Sequence, residues 1–365
     1  MKNTFGNSVH ITISGESHGE AIVATLDGIR PGIKVDLGFI EKKLSLRRPS
    51  GNISTPRREP DEFSIVSGLF EGITTGTPLT IVIPNTSKKS GDYDDTRFVP
   101  RPSHADLTAY LKYGGYQDHR GGGHFSGRIT AGIVAAGAIA ELALAEDGIR
   151  IGTHIKNIGG VCDRGFSDLE NDIGFLSDKT FPVLDTEKSE EMVKIIENAR
   201  ENLDSVGGML ETAVIGVKGG YGEPWFDTVE GMLAHILFSI PAVKSVSFGL
   251  GEDFAKMNGS QANDNFVVKD GAIVTETNNN GGINGGITNG MPILFSVTIK
   301  PTPSIAAEQR SVDVRNGDEV KLSIHGRHDP CIVHRAAHVV NACTALALLD
   351  IITTRDGNAP KDSKI

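Results

Sequence analysis

Residues 129–145 read ITAGIVAAGAIAELALA, an Ala- and Gly-rich run in which Glu141 is the only charge. A helix that is apolar on every side belongs in a protein core. With a charge inside it and fewer residues than a comfortable bilayer crossing, the run is predicted to be a buried core helix and not a membrane span. Ser126 stands ahead of it as a cap, and Gly148 follows as a terminator. On its N-terminal side, Val9–Ser14, Ala21–Leu26, Phe63–Ser67 and Leu79–Ile83 alternate or carry short β-branched runs, as strands do. Asp36 is placed to cap a helix through Leu46 that must end near Pro49. On its C-terminal side, strands near 209–217, 243–248 and 292–299 interleave with helices near 189–203, 227–239 and 334–350. Asp227 followed by Glu230 resembles a capping box. Residues 84–103 and 157–188 read as the longest irregular stretches. Strands arriving in hairpin-like groups, with few regular βαβ alternations, predict an α+β fold. No linker divides the chain, so residues 1–365 are expected to form a single domain.

The 365 residues carry 36 Lys and Arg against 46 Asp and Glu, a formal net charge of −10. No overall field therefore draws the chain to nucleic acid or to an anionic membrane, and an anionic ligand would have to be held by local basic clusters. The three cysteines, Cys162, Cys331 and Cys343, are far apart and form no CxxC pair, so neither a disulfide framework nor a thiolate metal site is indicated. Met1–Ile11 has no apolar run of signal-peptide type, and a cytoplasmic protein is expected.

Five segments could carry chemistry. Gly15-Glu16-Ser17-His18-Gly19 places a histidine at a strand end, where it can titrate near neutrality; a simple turn is the other reading. Arg47 and Arg48, with Arg57 and Arg58, make an arginine-rich loop suited to forked recognition of phosphate or carboxylate. The alternative there is a solvated basic edge paired with Glu59, Asp61 and Glu62. Arg101-Pro-Ser-His104-Ala-Asp106 precedes the glycine run Gly121–Gly123, which leads through His124, Phe125, Ser126 and Arg128 into the core helix. Arg101, His104, Arg120 and Arg128 bracket this loop, and the helix N-terminus favours an anion. Gly326-Arg327-His328-Asp329-Pro330-Cys331 sets an Arg, a His and an Asp before another helix, either as an anion and proton site or as a helix-entry turn. His334 and His338 are spaced as HxxxH, but Arg335 stands where a metalloprotease would have Glu, so a structural role is expected and no metal. No GxxxxGK[ST] loop occurs, and Gly249-Leu-Gly251 lacks the third glycine of a dinucleotide fingerprint. Residue types and spacing thus reach an α+β enzyme holding a small polyanion.

Taken in order, the segments resemble the chorismate synthase family: GESHG at 15–19, RPSHADL at 101–107, GGGHFSGRIT at 121–130 and GRHDPC at 326–331. RRP at 47–49, RREPD at 57–61, TTGTP at 74–78, SIPAVK at 239–244, GGINGG at 281–286 and KPTPS at 300–304 extend the likeness over essentially the whole chain. The resemblance implies a β-α-β sandwich, a helical layer between two mostly antiparallel sheets, assembled as a homotetramer. It implies a trans-1,4 elimination of phosphate from 5-enolpyruvylshikimate-3-phosphate that needs reduced FMN without net redox change. His18 would lie near the flavin, His104 by the departing phosphate, and Asp329 near flavin N5 in the proton-removal relay. FMN contacts would fall on His124, Phe125, Ser126, Pro241, Ala242, Gly285, Lys300, Pro301, Thr302, Pro303, Ser304 and Arg327. Ser17, Arg47, Arg48, Arg101 and Arg128 would hold the substrate. No flavin-reductase domain is visible, so reduced FMN is expected from outside, with NADPH as an indirect reductant. Departures stand at His124–Ile129, where the usual family run is Arg-Ser-Ser-Ala-Arg-Glu, at Asn341, where Glu is usual, and at Ile53, where many members have Arg. The rival readings are a nucleotide-dependent phosphotransferase and a non-catalytic anion-binding module.

Overall fold

The structure, a computed structural model, describes residues 2–49, 51, 53–54, 59–86, 97–324 and 329–357. The helices are α1 (Leu37–Arg47), α2 (Asp106–Tyr113), α3 (Thr130–Ala145), α4 (Leu169–Leu176), α5 (Thr186–Glu201), α6 (Val229–Leu237), α7 (Gly259–Ala262) and α8 (Val333–Asp356). Two five-stranded sheets frame them, and every described strand pair is antiparallel. The first sheet runs Thr4–Phe5, His10–Ser14, Ala21–Asp27, Leu79–Pro84, Ser64–Ser67; the second runs Val243–Phe248, Ile293–Ile299, Gly208–Ile215, Arg150–Ile158, Val161–Cys162.

The layering follows from which faces are apolar. Ile22, Ala24 and Leu26 pair with Ile83, Ile81 and Leu79 across the first sheet, and all six are fully or almost fully buried. The opposite face carries Thr12, Thr25 and Thr80, the in–out alternation of an antiparallel sheet with one wet side. The apolar face packs on α3, α3 packs on α8, and α8 packs on the second sheet, with α1 bridging the two helices. This is the expected β-α-β sandwich, with α4 and α5 added outside the second sheet. Two glycines explain how α3 fits between its neighbours. A Cβ at Gly132 would lie 3.1 Å from Ile22 Cγ2 on the sheet side, and one at Gly137 would lie 2.4 Å from Ala342 Cβ on α8. Five residues apart on a helix, they face opposite ways, one toward each layer.

The cap at Asp36 is as expected, its carboxylate accepting from Phe39 N at 3.1 Å. Ser126 caps a short 3-10 turn at Gly127–Ile129, and α3 begins only at Thr130. The predicted cap at Asp227 is replaced by its neighbour: Thr228 Oγ1 accepts from Gly231 N at 2.9 Å. The stretch 157–188 is less irregular than its sequence suggests. It holds the end of strand Arg150–Ile158, the short strand Val161–Cys162, α4 and the start of α5. The run Gly127–Ala145, which is α3 with the 3-10 turn ahead of it, and α8 each have the length and hydropathy of a membrane span, but each is mostly buried inside the protein.

Candidate active site

The segments read as chemical in the sequence converge because the loops that carry them are stitched together by backbone hydrogen bonds. Ser17 N donates to Gly123 O at 3.0 Å, and Arg101 Nη2 donates to Gly121 O at 2.6 Å. His124 Nδ1 donates to Gly15 O at 2.7 Å, since a carbonyl can only accept, and this fixes its tautomer. Gly121 has φ +65°, and a Cβ there would lie 2.6 Å from His18 Cε1 and 2.9 Å from Ser17 Oγ. The glycine run thus serves close approach: it lets the loop close over the GESHG turn. His18 is buried, with its Nδ1 3.0 Å from Ser17 Oγ.

Two cationic groups sit on this frame. Arg101 binds Asp106 through Nε at 2.7 Å and Nη2 at 2.8 Å, and His104 Nδ1 lies 2.8 Å from Asp106 Oδ1. Burial alone would push the Asp106 carboxyl up; the hydrogen bonds from Arg101 and His104 outweigh it and hold the group well below the usual carboxylate range. An ionised Asp106 accepts the His104 Nδ1 proton and leaves Nε2 as the nitrogen available to a ligand. A second group holds Arg47 and Arg128, buried beside the buried Asp61, and Arg48, a third exposed. Burial pushes the Arg47 guanidinium down to about 10, still charged at neutral pH. Arg128 also donates from Nε to Asn85 Oδ1 at 2.9 Å. Asp329 accepts from Arg335 Nη1 at 2.6 Å, and Arg335 Nε donates to Arg47 O at 3.0 Å.

One cavity of about 1030 Å³ gathers these groups. Its lining holds all three expected catalytic residues, His18, His104 and Asp329, and all five expected substrate ligands, Ser17, Arg47, Arg48, Arg101 and Arg128. Of the expected flavin contacts, His124, Phe125, Ser126, Pro241, Ala242, Lys300, Thr302, Pro303 and Ser304 line it as well. Two do not. Gly285 is exposed in the turn of the Ile283–Thr288 hairpin, and Pro301 is exposed and abuts Gly207. Arg327, with His328, Arg57 and Arg58, lies outside the described residues. Arg120, expected beside the anion, is absorbed by Asp118 through Nε at 2.8 Å and Nη2 at 2.7 Å and does not line the cavity.

The cavity lining includes eight Lys and Arg side chains and three carboxylates, Glu59, Asp61 and Asp329, in a chain whose net charge is −10. That local reversal of sign is what capture of a polyanion requires. Sequence reasoning missed the parts played by Asp61, Asn85 and Asp106, which pair with the cations, by Arg335, which pairs with Asp329, and by Lys244, whose charge, after burial, lowers the pKa of Lys300. The proximity of Asp106 to Arg101 and His104 within one motif was the available signal. The solvated basic edge weighed for the arginine loop is wrong at Arg47: its pairing with Asp61 exists, but it is buried.

His334 and His338 lie on α8 and do not line the cavity. Burial pushes both rings down to about 3, so they stay neutral, and His334 Nε2 lies 2.8 Å from Ser54 Oγ. No cluster of three or more metal-ligating side chains occurs among the described residues. The departures at Ile53 and Asn341 do not line the cavity. Asn341 instead ties α8 to the second sheet, accepting from Thr153 Oγ1 at 2.8 Å and donating to Ile151 O at 3.3 Å.

The chain as a whole is similar to known proteins. The family model described as chorismate synthase matches residues 9–353. A chorismate synthase of Thermococcus gammatolerans is 47% identical over 351 residues, covering 96% of this chain and 97% of that protein. One of Aeropyrum pernix is 45% identical over 361 residues, covering 99% and 95%. A crystal structure of a chorismate synthase superposes with a TM-score of 0.75 at 28% identity, covering 97% of this chain and 94% of that one. A family match over residues 9–353, with relatives 45–47% identical over nearly the whole chain, makes this chain a member of the chorismate synthase family.

Proposed function

We propose that this chain converts 5-enolpyruvylshikimate-3-phosphate to chorismate by trans-1,4 elimination, as a single domain over residues 1–365. The observation that carries the reading is the excess of cationic side chains in one cavity of an acidic protein. The substrate bears a phosphate and two carboxylates, and forked guanidiniums bind both groups with strong charge-assisted hydrogen bonds. In the reaction the C3–O bond breaks with its electron pair leaving on phosphate, C6 gives up a proton, and a new double bond forms in the ring. Arg47, Arg48, Arg101 and Arg128 would bind and orient the substrate, with Ser17 beside them. His104, held by Asp106, would stabilise charge on the departing phosphate and protonate it through Nε2. Asp329, oriented by Arg335, would accept the proton lost from C6, and His18 would hold a proton near the cofactor.

The residues fit a flavin. Thr302 Oγ1 is buried in the cavity wall without a hydrogen-bond partner among the described residues, a cost that a bound polar group would relieve. His124, Phe125, Ser126, Pro241, Ala242, Lys300, Thr302, Pro303 and Ser304 would hold FMN; Gly285 and Pro301 would not within one chain. Bound there in its reduced form, FMN would supply electron density for C–O cleavage with no net redox change. NADPH acts only as an indirect reductant. The same reading makes the protein a cytoplasmic homotetramer with no nucleic-acid or membrane partner.

The test is an anaerobic assay with reduced FMN and 5-enolpyruvylshikimate-3-phosphate, read as chorismate formed. Catalytic turnover without stoichiometric loss of reduced flavin supports the reading. No chorismate, or equal turnover with oxidised FMN and no reductant, overturns it.

A further inference from the structure

We propose that Asp61 is a positioning residue, the one carboxylate that gathers Arg47, Arg48 and Arg128 into a single receptor with two uncompensated positive charges, matched to a dianionic group of the ligand. The inference rests on the anion-binding reading above and adds to it a residue that touches no substrate.

The geometry is specific. Asp61 Oδ2 lies 3.1 Å from Arg47 Nη2 and 3.5 Å from Arg48 Nε, while Oδ1 pairs with Arg128 Nη1. The Asp61 side chain is fully buried, and its backbone stands at φ +52°, a region that non-glycine residues rarely occupy. Among the described residues no other carboxylate pairs with any of the three guanidiniums. Three cations on one anion make a poor structural cluster, because removal from water penalises each charge and only one is compensated. The excess makes sense if the missing negative charge arrives with a ligand.

Neutral partners back up two of the three. Arg47 Nη1 donates to Thr130 Oγ1 at 3.4 Å, and Arg128 donates to Asn85 Oδ1 at 2.9 Å and Pro84 O at 3.3 Å. Arg48, a third exposed, has only its ion pair with Asp61 among the described residues. Losing the Asp61 charge therefore frees Arg48 first and lets the three like charges spread apart.

Two mechanisms predict opposite signs for Asp61→Asn. If Asp61 merely dilutes positive charge, removing its charge makes the cavity more attractive to anions, and binding tightens. If Asp61 positions the guanidiniums, binding weakens although the net charge has become more favourable. We expect weakening by about 10- to 100-fold, the range that follows loss of an orienting partner behind a ligand-binding group. The full chain is titrated with inorganic phosphate by calorimetry, and KM and kcat for 5-enolpyruvylshikimate-3-phosphate are measured with reduced FMN. Phosphate affinity should fall and KM rise, with kcat changed far less. Asp61→Glu, which keeps the charge one methylene farther out, should lie between the two. Equal or tighter phosphate binding by Asp61→Asn overturns the proposal. Should near-UV circular dichroism show that variant unfolded, Asp61→Glu decides alone, and wild-type phosphate affinity in it overturns the proposal. If the unaltered chain neither binds phosphate nor turns over the substrate, the functional reading fails as well; if it does both and only the Asp61 variants are unimpaired, this inference fails alone.

Discussion

Replacing Asp329 with Asn separates a proton acceptor from a structural carboxylate. Asp329 accepts from Arg335 Nη1 at 2.6 Å, and Arg335 is anchored by a second hydrogen bond, from Nε to Arg47 O. An asparagine can still accept from Arg335 through Oδ1, so the shape of the wall is kept. What changes structurally is that the charged Arg335 donor now faces a neutral acceptor in place of a carboxylate, a loss of about 1 kcal/mol. A capping role is excluded by the geometry: α8 starts at Val333 after Ile332 and receives no side-chain cap. The stability effect should therefore be small. The chemical effect should be large, since a positioned general base is worth ~10²–10⁴ in rate, about 2.7–5.5 kcal/mol of barrier at 1.36 kcal/mol per tenfold. Anaerobic stopped-flow single turnover with reduced FMN, set beside a thermal melt and a flavin titration, reads all three quantities. Slow turnover with a near-native melt and near-native flavin affinity is the expected result. Turnover close to wild type would show that the carboxylate takes no proton, and the assignment of Asp329 would be wrong.

Other perturbations test other parts of the site and fold. His104→Ala should lower the chemical step by ~10²–10⁴ while sparing FMN binding; wild-type turnover would leave the RPSHADL segment a structural match only. Arg48→Ala should weaken substrate binding by about 1.5–3 kcal/mol for each charge-assisted hydrogen bond that the guanidinium makes to the substrate, and an unchanged dissociation constant would remove Arg48 from the site. His154 is buried between Asp163, 2.9 Å from its Nδ1, and Glu211, 2.9 Å from its Nε2. Burial is the largest single influence and opposes its charge, yet the two carboxylates outweigh it and raise the ring above its ordinary 6.5. Its contribution to stability is thus full below pH 6.5 and is lost as pH rises through the raised folded value. His154→Gln should flatten that part of the melting profile, and an unaltered profile would count against a charged His154. Gly137→Ala would drive a Cβ to 2.4 Å from Ala342 Cβ and 2.6 Å from its Cα. It should cost about 1–3 kcal/mol, and an unchanged melting temperature would refute so close a crossing of α3 and α8.

Elements with a strong local signal were readable before the structure. The strands at Ala21–Asp27 and Leu79–Pro84 alternate because one face meets α3, and α3 is apolar throughout because it has a layer on each side. What escaped reading is set by contacts distant in sequence. Arg150–Ile158 hides as a strand because four successive residues, Gly152–Ile155, are buried between α8 and α4, so its alternation is lost. Thr228 displaces Asp227 as cap by one residue, within the usual blur of helix ends. In the site, the guanidiniums and imidazoles singled out in the sequence mostly line one cavity, whereas Arg120 does not, because Asp118, two residues away, takes its Nε and Nη2.

The carboxylates hold the remaining logic. Asp106 is in the same motif as Arg101 and His104, Asp61 ends the loop that begins with Arg47 and Arg48, and Asp329 lies six residues before Arg335. Each is close in sequence to the cations it orients, and for that reason each reads locally as mere charge balance. Burial changes their meaning. A solvated pair is worth little and leaves both side chains free to move, whereas a buried one holds a guanidinium or imidazole in one orientation before the ligand arrives. A substrate with three anionic groups brought to loose cations would have to order them on binding. Cations already fixed by Asp61, Asp106 and Arg335-bound Asp329 spare that cost and keep their field aimed at the phosphate as charge develops on it. On the proposed reading the three aspartates differ in kind: Asp61 and Asp106 would act through the groups they hold, and Asp329, held by Arg335, would be the one that moves a proton.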